Sequence, residues 1–209
     1  MRDVILAFLP DLWAGFLVNL GVAAGAVTMG LILGLPLAVV RDRIGWTERP
    51  IRWAVRLMQA APVYVVMFFL LNLLPARIYL GPWRVTAIAL LALILAQGLN
   101  MVAYMEENGL QALRHLRKGE RAQALLFLPN VIRGFIVVVM SSGLGAAIGV
   151  TEAVGVTLRH AQRLQSLGDR VVLFLLAIAF FASIFGTLNA LLRRAMRRLT
   201  AVQATPERR

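Results

Sequence analysis

Long apolar runs separated by short clusters of charge organise this chain. Five stretches free of Asp, Glu, Lys, Arg and His stand out. They hold 29 residues between Asp11 and Arg41, 20 between Arg56 and Arg77, 21 between Arg84 and Glu106, 18 between Arg133 and Glu152, and 22 between Arg170 and Arg193. A helix needs roughly 20 predominantly apolar residues, range about 17–25, to cross a bilayer. The pattern therefore predicts five transmembrane helices, over about 12–40, 57–76, 85–105, 134–151 and 171–192. The first is long enough to tilt or to extend beyond the hydrocarbon. Ala122 to Ile132 is also uncharged, but it has only 11 residues and contains Pro129, so it cannot cross. The fold expected is an all-α integral membrane protein with one transmembrane domain over 1–200, followed by a polar, disordered tail at 201–209.

Composition agrees and narrows the class. Of 209 residues, 60% are hydrophobic and 15% charged, with a mean hydropathy of +0.77, well outside the roughly 45–50% apolar content of soluble domains. A soluble enzyme is excluded. The net charge of +12 comes from 22 basic residues against 10 acids. In a soluble protein that would suggest nucleic acid; here it reads as topology. With the N-terminus outside, the inner segments are Arg41 to Arg56, Glu106 to Arg133 and the tail from Arg193, holding sixteen basic residues against six on the outer side. The positive-inside rule then gives N-out and C-in, as an odd number of spans requires. Nucleic acid is not needed to explain the charge. The near-neutral start (Met1, Arg2, Asp3) and the length of the first run argue against a cleaved leader.

Several kinds of chemistry are absent. There is no cysteine. The two histidines, His115 and His160, are predicted on opposite sides of the membrane and cannot share a metal. Ser141-Ser142-Gly143 with His160 lacks the geometric context of a hydrolase site. No run interior carries an ionisable side chain, which disfavours a carrier driven by its own ion relay. No G-x-x-x-x-G-K-[ST] occurs, so any driving energy has to come from another subunit. The polar residues left inside the spans include Asn19, Asn72, Gln97, Asn100, Ser141 and Ser142, each of which needs a partner or a wet cavity. Asn19, Asn72, Asn100, Ser141 and Ser142 are the candidate solute-path residues. Glycines four apart (Gly21 and Gly25, Gly30 and Gly34, Gly145 and Gly149) predict close helix packing, within one bundle sooner than at a dimer face.

The segment 106–133 is the most informative. Leu110, Leu113 and Leu116 interleave with Arg114, Arg117, Lys118 and Arg121. This predicts an amphipathic helix, a turn at Lys118-Gly119 and a second short, alanine-rich helix. Ala103-Tyr104 with Glu107, then Lys118-Gly119-Glu120, Ala122-Gln123-Ala124 and Leu128-Pro129, resemble the permease subunits of polar amino-acid ABC transporters. Their Lys-Gly-Gln, Glu-Ala-Ala and Leu-Pro mark the loop that couples to an ATPase. Gly15 with Asn19-Leu20, Pro62, and Ser142 with Ile148-Gly149-Val150-Thr151-Glu152 extend the likeness over nearly the whole chain. It departs in a coupling loop shorter by about a dozen residues and in Ala122 standing for the first Glu.

The resemblance implies a type I ABC importer permease with five N-out/C-in spans, in a bacterial inner membrane and in contact with its lipid. Its partners would be a second permease subunit, cytosolic ATPases and a periplasmic solute-binding protein. This chain would hold no cofactor, ATP and Mg being used by the ATPase, and would not itself be an enzyme. Glu107, Lys118, Gly119, Glu120, Ala122, Ala124 and Pro129 are the coupling residues it implies. The alternative is a permease-derived assembly or regulatory protein without transport of its own.

Overall fold

The computed structural model describes residues 2–75, 78–80, 83–85 and 88–203. Among the described residues, the regular structure is helical apart from one short hairpin. In order, the elements are α1 (Arg2–Met29), a π-helical turn (Gly30–Gly34), α2 (Leu35–Arg43), α3 (Glu48–Ala60) and α4 (Val63–Leu73). Strands β1 (Ile78–Leu80) and β2 (Trp83–Val85) follow, paired antiparallel with Tyr79 opposite Arg84. Then come α5 (Ile88–Arg117), α6 (Arg121–Ala124), α7 (Phe127–Ser141), a 3-10 turn (Ser142–Ile148), α8 (Ala153–Gln162) and α9 (Leu167–Gln203). Among the described residues, four stretches are long and apolar enough to cross a membrane: Ile5–Arg43, Ile88–Arg117, Arg121–Ile148 and Leu167–Arg194. The chain is a multi-pass membrane protein.

The second expected span, 57–76, is corrected. It is not one straight helix: α3 and α4 meet at a bend of 92°. Pro62 has no N–H to donate and crowds the residue before it, so Ala61 takes an extended conformation (φ −75, ψ 115) and the helix breaks. At 11 residues, α4 is about 16 Å long and cannot cross roughly 30 Å of hydrocarbon alone. Taken as one bent pair, α3 and α4 have the length and composition of a fifth, broken passage or of a re-entrant loop. Before the bend, α3 places Arg49, Arg52 and Arg56 among exposed Trp53 and Leu57, the composition of a helix lying in a membrane interface.

Other boundaries move for similar local reasons. The first passage begins well before residue 12, with Pro10 tolerated inside α1. The third starts at Ile88, because Val85 belongs to the hairpin, and runs unbroken to Arg117. The fourth starts at Phe127, with Pro129 in its first turn, where the missing N–H costs nothing. Residues 201–203 of the expected disordered tail are helical, and 204–209 lie outside the described residues.

The glycine spacing packs this chain against itself. The Cβ of any residue replacing Gly30 would lie 2.7 Å from the Met101 carbonyl oxygen; at Gly34 it would lie 2.5 Å from that of Val102. Thus α1 and α2 run backbone to backbone beside α5, and parallel to it, since Gly25 meets Ile94 and Gly109 meets Leu35. Gly134 packs on Tyr104 and Gly145 on Leu93, which sets α7 and its 3-10 extension antiparallel to α5. Phe16 joins α1 to α9 through edge contacts with Phe180, Phe181 and Phe185. One end of the bundle therefore carries residues 106–133 and α3; the other carries the hairpin and α8.

Candidate functional site

At the end carrying 106–133, α5 continues 12 residues past Met105 without a break. It stops at Gly119, whose φ of +79 is a left-handed conformation that side-chain-bearing residues adopt only at a cost. Glu120 N–H donates to the His115 carbonyl (2.9 Å) and Gly119 N–H to that of Leu116 (3.1 Å), the paired bonds of a Schellman cap. His115 and Glu120, one on each side of the cap, also pair directly, Nδ1 to Oε2 at 2.6 Å. The resulting bend presents Lys118 and Gly119 to solvent, leaves Ala122 half-buried, and turns Ala124 and Pro129 into the protein. Ala124 and Pro129 therefore anchor the bend, while Lys118 and Gly119 are free to be touched. Glu107 is half-buried and, among the described residues, makes no ion pair.

Reading the residue types alone misses two features of this end. Leu125, Leu126 and Leu128 are 51, 38 and 59% exposed, an apolar strip running on from the bend. The buried carboxylate is Glu106, with no exposed surface, and Arg41 Nη1 lies 3.1 Å from both its oxygens. Asp42 pairs with Arg117 (3.0 Å), and Glu48 with Arg114 (3.8 Å) and Arg52 (3.0 Å). These pairs bind the projecting half of α5 to α2 and α3.

Toward the opposite end, two of the quoted sequence patterns meet in space. Asn19 Nδ2 donates to Ser142 Oγ (2.7 Å) and Glu152 Oε2 (3.0 Å), while Asn19 Oδ1 accepts from Ala153 N–H (3.1 Å). Glu152 also caps α8, accepting from Val154 and Gly155 N–H at 2.9 and 2.8 Å. Ser142 Oγ donates to the Val139 carbonyl. Gly15, one turn before Asn19, is required because the α8 start presses on it, 2.8 Å from where a Cβ would sit. A wholly buried carboxylate, supplied by the connection before α8 and not by a span, thus stands at the level of Asn19. Asn19 and Ser142 spend their hydrogen bonds on this lock. The neighbouring cavity of about 480 Å³ offers mainly apolar walls, Val139, Phe174 and Phe181 among them.

The remaining polar residues separate. Asn72 is exposed and bonds its own helix at the Phe68 carbonyl. Ser141 Oγ donates to Gln97 Oε1 (3.2 Å) across the α5–α7 seam. The side-chain nitrogens of Gln97 and Asn100 are buried with no acceptor. Ser142 and His160 do not pair: His160 Nε2 lies 2.8 Å from Asp11.

Compared by structure, the chain resembles an amino acid ABC transporter solved with histidines, with a TM-score of 0.69 and 20% identity over 93% of this chain and 96% of that one. It also resembles the MetNI methionine ABC transporter in an inward-facing conformation, with a TM-score of 0.63 and 13% identity over 93% of this chain and 98% of that one. Compared by sequence, it matches no protein-family model and no curated protein. The likeness gives the fold: that of ABC importer membrane subunits.

Proposed function

We propose that this chain is the permease subunit of an ATP-driven importer for polar amino acids or similar small solutes. It sits in a bacterial inner membrane with 106–133 in the cytoplasm, N-out and C-in. A second permease subunit, identical or homologous, completes the pathway, cytosolic ATPases dock at 106–133, and a periplasmic solute-binding protein delivers at the hairpin end. ATP and Mg belong to the ATPase. The observation that carries this reading is the exposed Lys118–Gly119 bend, held at the end of one 30-residue helix. That helix is about 45 Å long, so it joins the docking surface rigidly to the membrane interior. ATPase closure would move the bend, and α5 with its ion pairs to α2 and α3 would shift the balance between inward- and outward-open forms. The amino-acid class is our reading, supported by the sequence resemblance and by the first structural neighbour, itself an amino acid transporter.

Affinity purification of the chain from its own host in mild detergent tests this. An ATP-hydrolysing polypeptide is expected to be retained by the native chain. It should be lost from a Leu125→Glu, Leu128→Glu variant that still inserts, since the two charges disrupt the exposed strip without touching the buried anchors. Absence of an ATPase, or its equal retention by the variant, would sink the reading.

A further inference from the structure

Helix α3 carries a surface that the described residues leave uncovered. Around its axis the side chains sort into three strips. Ile51, Val55 and Met58 are buried or half-buried against the protein. Arg49, Arg52 and Arg56, at i, i+3 and i+7, share a second strip. Trp53 and Leu57, one turn apart beside the arginines, are 73 and 66% exposed, and Trp46 in the turn before α3 is 80% exposed. The one acid of the arginine strip, Glu48, is already engaged: it holds Arg52 at 3.0 Å and Arg114 of α5 at 3.8 Å. Arg49 and Arg56 are exposed and, like Arg43 just upstream, make no ion pair among the described residues. Helix α4 exposes Val65, Phe69 and Leu73 and so belongs in hydrocarbon, whether it crosses or returns. The turn of 92° between the two helices then lays α3, about 20 Å long, along the bilayer surface. At that depth tryptophan rings sit at the headgroup boundary, and arginine side chains reach the phosphates.

We propose that α3 and the turn before it bind anionic phospholipid, Arg49 and Arg56 holding headgroup phosphates while Trp46, Trp53 and Leu57 sit among the upper acyl chains. The inference goes beyond the permease reading, since it needs only that the chain lie in a bilayer. Charge complementarity selects the headgroup. The open part of the strip offers cations alone, and the planar guanidinium fork takes phosphate oxygens in pairs. A zwitterionic headgroup would bring its own cation to that strip, whereas a net negative one does not. The right-angle turn selects lipid over a protein partner, because it sets the apolar strip at the depth of the bilayer interface and not in water.

Trp13→Phe and Trp83→Phe leave Trp46 and Trp53 as the only tryptophans. This full-length chain, purified with the partners it retains, is placed in phosphatidylcholine vesicles. A minor fraction of the lipid carries bromine, as either phosphatidylglycerol or phosphatidylcholine; bromine quenches tryptophan fluorescence only at contact. The labelled anionic lipid is expected to quench more strongly than the same fraction of the labelled zwitterionic one. That preference should fall about fivefold with Arg49→Gln or Arg56→Gln alone, be largely kept by Arg49→Lys with Arg56→Lys, and weaken as sodium chloride is raised. Quenching by labelled phosphatidylcholine should not change in the glutamine variants, which shows that α3 still lies in the bilayer; if it does change, the comparison of native and lysine chains across the salt series decides. Equal quenching by the two labelled lipids, or a preference untouched by the glutamine substitutions, means that the arginines select no headgroup. No quenching by either lipid means that water or a protein covers the tryptophans. Each of these results overturns the proposal, while retention of the ATPase at 106–133 is read separately and stands or falls alone.

Discussion

At Arg41 and Glu106 a single side-chain change is costly. The Glu106 carboxylate has no exposed surface and one guanidinium partner. Removing one member of a buried pair leaves an uncompensated charge, at a cost of about 3–5 kcal/mol, whereas replacing both with apolar side chains of like volume is often neutral. Arg41→Met is therefore expected to lower the thermal midpoint in detergent sharply, and Arg41→Met with Glu106→Met to recover most of the loss. Equal midpoints for the single and double variants would show that the pair does not hold α2 to α5. Here the limit of the sequence is plain. Glu106 and Glu107 are adjacent, yet successive residues on a helix point about 100° apart, and composition does not say which one faces inward. Asn19, Ser142 and Glu152 were each visible as polar positions. That they bond one another across more than 120 residues of chain depends on packing, which no local pattern encodes.

The elements differ in how openly the sequence announces them. Four crossings follow from hydrophobic runs alone, since burial of a whole helix in hydrocarbon needs nothing but length and apolarity. The second run folds as a bent pair and not as one straight helix, because counting uncharged residues is blind to Pro62, and cutting at Arg56 discarded the amphipathic half that became α3. The turn at Lys118-Gly119 was legible because glycine after a basic helix end is a stop signal with a mechanism. The same mechanism sets a prediction. At φ +79 any side chain strains the backbone by about 1–2 kcal/mol. Nothing lies within 4 Å of a Cβ built there, so no clash is added. Gly119→Val should accordingly leave insertion intact, cost little in global thermal stability, and misdirect the bend. The readout is the ATPase retained in mild detergent, expected to fall severalfold, and full retention would show that the cap geometry is not what the partner grips.

For the whole molecule, the decisive property is which end faces the cytoplasm. Ion pairing changes the charge comparison without reversing it. At the end carrying 106–133, Arg41, Arg52, Arg114 and Arg117 have acidic partners. Arg43, Arg49, Arg56, Lys118 and Arg121 make no ion pair among the described residues, so that end still presents a dense unneutralised patch. The α8 end offers Arg159 and Arg163, with Arg170 bonded to the Leu164 carbonyl. Free cations near short connections resist translocation and should hold 106–133 inside. The cysteine-free sequence makes this directly measurable with Lys118→Cys and Arg163→Cys, both at exposed positions. An impermeant thiol reagent applied to spheroplasts is expected to modify Arg163→Cys and spare Lys118→Cys, with the order reversed in inverted vesicles. The opposite order would put the bend outside, beyond reach of any cytosolic ATPase. The fold would survive that outcome, but α5 could no longer serve as the arm through which ATP hydrolysis reaches the solute.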